Sequence, residues 1–329
     1  MSKNTICVII PAYNAERTIA TAINSVLACR NVSQVICIDD GSSDDTYSLA
    51  CSCHDERVEV LKQANSGVSR ARNAGLLKAR TDYVAFLDAD DSYDAKRLDT
   101  LIDRLPERLI DVIVFGVSSY VEGKDSSSAL PDVAYLLDVL ENYEMTGVEF
   151  ASELMQKGTE LGSSCRALFL KRFLMENDIS FYPNMRISED TLFCRQALLL
   201  SEKVLNYHDN ILLRCYNSSS CTGQASDSDY IVARLLLRYR YKEFVSSRDL
   251  TEEQKRFSKA RIERDAHILQ RDVTRLTMHD YMNVAHELGL EIIDRQLYEL
   301  LLRSVKHRKV INACSKVLKL GINLLRKIR

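Results

Sequence analysis

The sequence of 329 residues has no tryptophan, and no apolar stretch reaches the roughly 18–20 residues that a membrane-spanning helix needs. No basic segment followed by an apolar run and a cleavage site stands near its start, so neither an export signal nor a transmembrane anchor is expected. The ten cysteines are scattered, and the one close pair, Cys51-Ser52-Cys53, matches no common zinc or thioredoxin spacing even with His54 beside it. A helix end with small residues is the expectation there, and the cysteine usage points to a reducing cytosol. Internal repeats and low-complexity blocks are missing. So are two common nucleotide loops. Neither the glycine-rich dinucleotide fingerprint nor the Gly-Lys-Ser/Thr phosphate loop follows the first apolar run, which leads instead into Pro11-Ala12-Tyr13-Asn14. Acid is lacking in one region only. Residues 303–329 hold nine lysines and arginines and no Asp or Glu, so with a whole-chain formal charge of −2 the preceding residues carry −11. An acidic body gives no reason to expect nucleic acid as a partner.

What is present starts with Tyr83-Val84-Ala85-Phe86-Leu87 running into Asp88-Ala89-Asp90-Asp91. The first part reads as a short buried strand. Carboxylates cannot be buried unpaired without a cost of several kcal/mol, on the order of magnitude. A strand ending in an acid cluster therefore calls for a cation or hydrogen-bond donors at its carboxyl end, where open α/β sheets bind ligands. Carboxylate oxygens suit Mg²⁺ or Mn²⁺, which in turn clamp phosphate oxygens. The plainer alternative is a strand, an Asp-rich turn and a helix with Ser92 as cap and Asp94 in its first turn.

Around this stretch strand and helix alternate. Strands are expected at Thr5–Ile10, Gln34–Ile38, Val58–Leu61, the run into Asp88, and Val112–Val117. Between them Asn14 can cap a helix bearing Ile19, Ala22, Ile23, Val26 and Leu27, and Ser43 one with Asp44 and Asp45 in its first turn. Gly67–Ala79 is a helix whose Ala71, Ala74 and Gly75 suit close packing, and Leu98, Leu101, Ile102 and Leu105 mark another. This predicts an α/β fold with a parallel, doubly wound sheet covered by helices on both faces. After a polar loop at Ser118–Ser128 the alternation weakens. Helices are expected at Val133–Leu140, Glu149–Met155, Phe169–Glu176 and Thr191–Leu200, a strand within Val204–Leu213, a turn at Asn217–Ser220, and helices from Tyr230 with a break near Gly289. If the sheet is parallel, Asp39/Asp40 and Asp88/Asp90 emerge on one edge, where four carboxylates need a cation and donors. That suits a nucleoside diphosphate.

Four segments in order carry a resemblance: Val8-Ile9-Ile10-Pro11-Ala12-Tyr13-Asn14; Ile38-Asp39-Asp40-Gly41-Ser42-Ser43-Asp44; Asn65-Ser66-Gly67 leading to Ala71-Arg72-Asn73-Ala74-Gly75; and Phe86-Leu87-Asp88-Ala89-Asp90-Asp91. With their order and spacing the chain resembles a family 2 glycosyltransferase of the GT-A fold, as found among bacterial enzymes of surface polysaccharide or lipopolysaccharide biosynthesis. A fifth match, Cys165–Leu174 followed by Asn177–Phe181 and Ser188-Glu189-Asp190-Thr191-Leu192-Phe193, is similar to the family's acceptor-side segment. The resemblance implies a mostly parallel Rossmann-like sheet flanked by helices. It places the GT-A domain at 1–225, with a nucleotide-binding half at 1–117 and an acceptor-side half at 118–225, and a helical C-terminal extension at 226–329.

The resemblance also implies roles. Pro11, Ala12, Tyr13 and Glu16 line the nucleoside pocket, and Asp39 or Asp40 accepts from the uracil or ribose. Asn65, Gly67, Ala89 and Glu189 belong to the substrate site, and Arg72 either faces the donor or is a helix-surface arginine paired to an acid. Asp88 touches the ribose or the metal, Asp90 is the main ligand of Mn²⁺ or Mg²⁺, and Asp190 is the base. Without the upstream motifs, Glu189-Asp190 would read only as two acids favoured in a helix's first turn. The implied reaction is a single inverting displacement that moves a sugar from a nucleotide-sugar donor, a UDP-sugar, to a hydroxyl of a glycan or lipid-linked acceptor.

Two other readings compete. Asp88-Ala89-Asp90-Asp91-Ser92 imitates the haloacid dehalogenase phosphatases, but there the motif ends the first strand of the core, and here three strand–helix units precede it. A non-catalytic nucleotide-sugar-binding or scaffolding homologue would not need both the metal acids and Asp190. Finally, Val310, Cys314, Val317, Leu318 and Leu325 give 306–329 an apolar helical face opposite its basic residues. That face either packs on the body or lies on an anionic membrane surface, which would make the protein cytoplasmic and peripheral on the inner face of the membrane.

Overall fold

A computed structural model describes residues 5–121, 144–183, 185–216 and 226–273. The helix expected at 133–140, the turn at 217–220, the break near Gly289 and the basic segment 306–329 lie outside these residues. The chain forms two compact units, Met1–Gly223 and Gln224–Arg329.

In the first unit the sheet comprises β1 (Ile6–Ala12), β2 (Val32–Asp39), β3 (Val58–Lys62), β4 (Tyr83–Phe86), β5 (Ser92–Tyr93), β6 (Val112–Val121), β7 (Glu144–Met145), β8 (Ala167–Leu170) and β9 (Val204–Tyr216). Their order is β3-β2-β1-β4-β8-β6-β9-β5, with β7 also paired to β9. The helices are α1 (Ile19–Leu27), α2 (Thr46–Cys51), α3 (Val68–Lys78), α4 (Ala95–Asp103), α5 (Gly147–Gln156), α6 (Lys171–Glu176) and α7 (Glu189–Leu200). Strands β3, β2, β1 and β4 are parallel, as the alternating pattern predicts. All seven residues of β1 are buried, which is why it reads as an unbroken apolar run rather than an alternating one. Register aligns Ala12 with Asp39 and Ile9 with Phe86, so three neighbouring strands deliver Pro11–Tyr13, Asp39-Asp40 and Asp88–Asp91 to one carboxyl edge. Helix α3 lies tight on this sheet. A Cβ at Gly75 would come within 2.4 Å of Ile9 Cγ2, so only glycine permits that approach.

Beyond β4 the sheet is mixed. The segment expected to be one helix from Phe169 to Glu176 is a strand, β8, followed by α6 from Lys171. A four-residue apolar run cannot be assigned by periodicity. All of β8 is buried, and it fills the gap between β4 and β6, antiparallel to both. Strand β9 pairs parallel with β6. Because β8 is antiparallel, its beginning reaches the edge that β4 reaches with its end. The loop expected from Ser118 is, as far as Val121, the last part of β6.

Three helix starts also differ from expectation. Asn14 does not cap α1. It takes a left-handed conformation (φ 49°) and ties two loops together, accepting from Ser43 N–H at 2.9 Å and donating its own N–H to Ser42 Oγ at 2.9 Å. Helix α2 begins at Thr46, not after Ser43, because Asp44 accepts from Thr46 N–H at 3.0 Å and closes the turn ahead of it. Ser92 lies in β5, and Asp94 caps α4 by accepting from Arg97 N–H at 3.0 Å.

An aromatic cluster fixes the far side of the site. Phe181 and Phe193 stack with ring centroids 4.1 Å apart, and Phe86 meets both edge-on. All three are fully buried, which pins α7 against the end of β4. In the second unit α8 (Asp227–Ser246) opens with a capping box, Ser226 with Asp229, and α9 (Glu252–Val273) follows it.

Candidate active site

At the carboxyl edge the two aspartates that end β2 do different work. The Asp40 carboxylate is fully engaged in holding the loop after β3. It accepts from Gln63 Nε2 (2.7 Å), Ser66 N–H (2.9 Å), Ser66 Oγ (3.2 Å) and Gly67 N–H (2.8 Å). Gly67, with φ 91°, starts α3 there. Asp39 is 0% exposed; its Oδ1 accepts from Ser42 N–H at 3.1 Å, while Oδ2 has no hydrogen bond and stands 3.5 Å from Lys62 Nζ. Gly41 between the two loops has φ 78°, and a Cβ on it would meet Asn65 N at 2.8 Å. Asn65 itself is exposed. Pro11 and Ala12 are buried beneath this loop, and Tyr13 is 54% exposed beyond them. The Glu16 carboxylate accepts from Asp45 N–H at 3.4 Å.

Arg72 is the centre of the site. It is 2% exposed, not a helix-surface side chain, and its guanidinium joins three acids from distant parts of the sequence. Nη2 donates to Asp88 Oδ1 at 2.7 Å, and Nη1 to Asp190 Oδ1 at 2.8 Å and Glu189 Oε1 at 3.1 Å. The Phe181 ring lies under it, 5.0 Å from the guanidinium carbon. Its sequence neighbours Ala71 and Gly75 explain its position, since small residues let α3 sink onto the sheet. Ser164 Oγ also donates to Asp190 Oδ1, at 2.7 Å. Both bonds fall on Oδ1, and the Ser164 backbone adds a further hydrogen bond to the carboxylate. Burial pushes the Asp190 carboxyl above its ordinary range, against the pull of Arg72.

Glu189 is pushed up to about 7, first by burial and then by the Asp190 charge, with Arg72 opposing. The folded protein therefore holds this proton more tightly than the unfolded chain does. The associated stability is full below the ordinary value of 4.5 and is lost as pH rises through about 7. Glu189→Gln, fixed in the neutral form, is expected to gain on the wild type between about pH 5 and about pH 8, by on the order of 1–3 kcal/mol. Chemical denaturation at the two pH values checks this. A stability difference that does not change with pH would mean that Arg72 keeps Glu189 ionised throughout.

Asp88, Asp90 and Asp91 crowd the end of β4. Burial and the Asp88 charge raise Asp90, which makes no ion pair among the described residues. Burial, then Asp88 and Asp90, push Asp91 up to about 8, although it accepts from Cys215 N–H at 2.9 Å and faces Arg214 Nε at 3.8 Å. Among the described residues no group of three or more His, Cys, Asp or Glu side chains could hold a metal ion by itself. The crowded, raised carboxyls and the unpaired Asp90 nonetheless fit a divalent cation that takes its other oxygens from a ligand's phosphates.

Four of the expected residues are thus brought into one hydrogen-bonded group: Arg72, Asp88, Glu189 and Asp190. Asp39, Asp40 and Gly67 form a second group with the neighbouring loop. Sequence reasoning missed Ser164, Arg214 and the packing role of Asp91. Asp91 had a signal as the third acid of the run, whereas Ser164 and Arg214 reach the edge only through the antiparallel β8 and the long β9.

The family model described as Glycosyl transferase family 2 matches residues 7–173, just over half of the chain. Among curated proteins, the uncharacterized glycosyltransferase EpsJ of Bacillus subtilis is 27% identical over 224 residues, covering 66% of this chain and 62% of EpsJ. The succinoglycan biosynthesis protein ExoO of Rhizobium meliloti is 30% identical over 200 residues, covering 58% of this chain and 54% of ExoO. The chain thus matches less than two thirds of the length of each. Among solved structures, S. aureus TarS 1-349 has a TM-score of 0.66 at 19% identity, covering 90% of this chain and 83% of TarS. The same fragment in complex with UDP-GlcNAc has a TM-score of 0.64, also at 19% identity, covering 90% of this chain and 84% of that one. This similarity is one of fold.

Proposed function

Since the chain belongs to glycosyl transferase family 2 and is a glycosyltransferase, we propose that it moves a sugar from a UDP-sugar to a hydroxyl of a glycan or lipid-linked acceptor, with inversion at the anomeric carbon. The observation that carries this reading is the Arg72 junction, which ties an acid of the expected donor side, Asp88, to the expected base, Asp190. A single displacement needs donor and base held in one frame, and a buried guanidinium with three carboxylates supplies a stiff one. The UDP-GlcNAc complex of TarS supports the choice of donor, and ExoO, a protein of succinoglycan biosynthesis, that of a growing polysaccharide.

In this mechanism the Asp190 carboxylate takes the proton from the acceptor hydroxyl as the hydroxyl attacks, while Arg72 and Ser164 hold Oδ1 and fix the carboxylate's orientation. Asp39, whose Oδ2 makes no hydrogen bond, rather than the fully engaged Asp40, accepts from the uracil or ribose. Tyr13 offers its exposed ring to the base. Asp90 and Asp88 would hold Mn²⁺ or Mg²⁺, which when bound neutralises charge gathering on the departing diphosphate. Thermal-shift measurements with UDP, GDP, CDP and UMP, each with and without Mn²⁺, test the donor class. Stabilisation by UDP that depends on the metal is expected, and equal shifts with all four nucleotides would contradict it.

No described helix is long and apolar enough to cross a membrane. We propose that 306–329 brings the enzyme to an anionic membrane surface, each basic residue contributing about 1 kcal/mol and the binding weakening with salt. Co-sedimentation with anionic vesicles should fall sharply in a chain ending at Leu302. Equal pelleting of the two chains would show that the segment has no such role.

A further inference from the structure

Arg166 is 5% exposed, and among the described residues it alone has two buried guanidinium nitrogens, Nε and Nη2, without a hydrogen bond. Among the described residues no carboxylate pairs with it. It ends the 3₁₀ turn Ser164–Arg166 that opens β8, and because β8 runs antiparallel to β4 this turn stands at the edge that holds Asp88–Asp91. Ser164 of the same turn holds Asp190. Strand β9 brings a second arginine to the same place. Arg214 Nη2 lies 3.2 Å from Ser163 Oγ, and its Nε lies 3.8 Å from Asp91 Oδ2. After burial, the neighbouring Arg214 charge is the main influence that loosens the proton on Arg166, to about 10, so Arg166 remains a cation at neutral pH.

A buried, unpaired guanidinium beside a second one is unfavourable by itself, and a fold that keeps it provides for an anion. Asp91 faces Arg214, 3.8 Å from its Nε, and makes no ion pair with Arg166. The planar fork of a guanidinium matches two oxygens of a phosphate, and two such groups can share one. We propose that Arg166, with Arg214 beside it, binds a phosphate group carried by a substrate, at the wall of the site where Asp190 stands. The choice of ligand rests on the glycosyltransferase reading, which offers two sources: the donor diphosphate, or a phosphate in the acceptor. On either source the contact fixes a substrate within reach of the base.

Calorimetry on the full chain with Mn²⁺ tests this, using inorganic phosphate, UDP and UMP as probes and the variants Arg166→Met and Arg166→Lys. Phosphate is expected to bind the wild type and to bind Arg166→Met about tenfold or more weakly, with Arg166→Lys between them. If the donor is the source, UDP affinity falls in Arg166→Met and UMP affinity does not. If the acceptor is the source, UDP affinity stays and phosphate still binds the UDP-saturated enzyme. Arg166→Met should fold at least as stably as the wild type, because it removes an unpaired buried charge; should it not fold, Arg166→Lys carries the same comparison. Phosphate binding no stronger in the wild type than in the variants, or absent from all of them, with UDP affinity unchanged, overturns the site and leaves the glycosyltransferase reading standing. A wild type that binds no UDP overturns the reading beneath it.

Discussion

Asp190→Asn is expected to lower sugar transfer by about 10²-fold or more while leaving donor affinity nearly unchanged. The substitution keeps the shape of the side chain, and an amide oxygen can still accept from Arg72 and Ser164 as Oδ1 now does. What it removes is the second oxygen's ability to take a proton. Asp190 is suited to that task because burial raises its carboxyl while Arg72 prevents the rise from being complete. The loss should therefore fall on kcat, with the KM for the donor little affected. A variant that keeps its activity would move the base elsewhere. Glu189, pushed up to about 7 and bonded to the same arginine, is the next candidate.

Asp90→Ala is expected to abolish metal-dependent UDP binding and to leave the fold intact. Asp90 makes no ion pair among the described residues, and its charge raises Asp91, so its removal costs little structure and relieves repulsion. Without its oxygen the acid cluster loses the carboxylate that is bonded to no other residue among those described, since Asp88 is bonded to Arg72 and Asp91 to the Cys215 amide. Calorimetric titration of UDP in the presence and absence of Mn²⁺ reads the effect directly. Unchanged Mn²⁺-dependent affinity in Asp90→Ala would remove Asp90 from the metal site.

Much of this site could be read in the sequence because the four segments in its first third sit where short apolar strands end. In a parallel sheet strand ends converge, so a linear pattern of strand, acid, strand, acid already encodes a cluster. Arg72 was harder. Its partners Glu189 and Asp190 lie more than a hundred residues away, and only coordinates bring α7 against α3. The different engagement of Asp39 and Asp40 was equally closed to sequence reasoning, because only coordinates show which carboxylate the Gln63–Gly67 loop occupies. Phe169 and Leu170 misled for a local reason. Four apolar residues followed by Lys171-Arg172 run directly into a real helix, and nothing in the pattern marks the boundary. That missed strand also hid Ser164 and Arg166, which reach the edge only because β8 points the other way.

The most direct test of the account is the release of UDP from a panel of UDP-sugars by the purified full chain with Mn²⁺, alongside Asp190→Asn and Asp90→Ala. One UDP-sugar should be turned over by the wild type, with both variants reduced by about 10²-fold or more. Turnover of none of the sugars, or turnover that survives both substitutions, would contradict the claim that Arg72 joins a donor-side acid to a catalytic base.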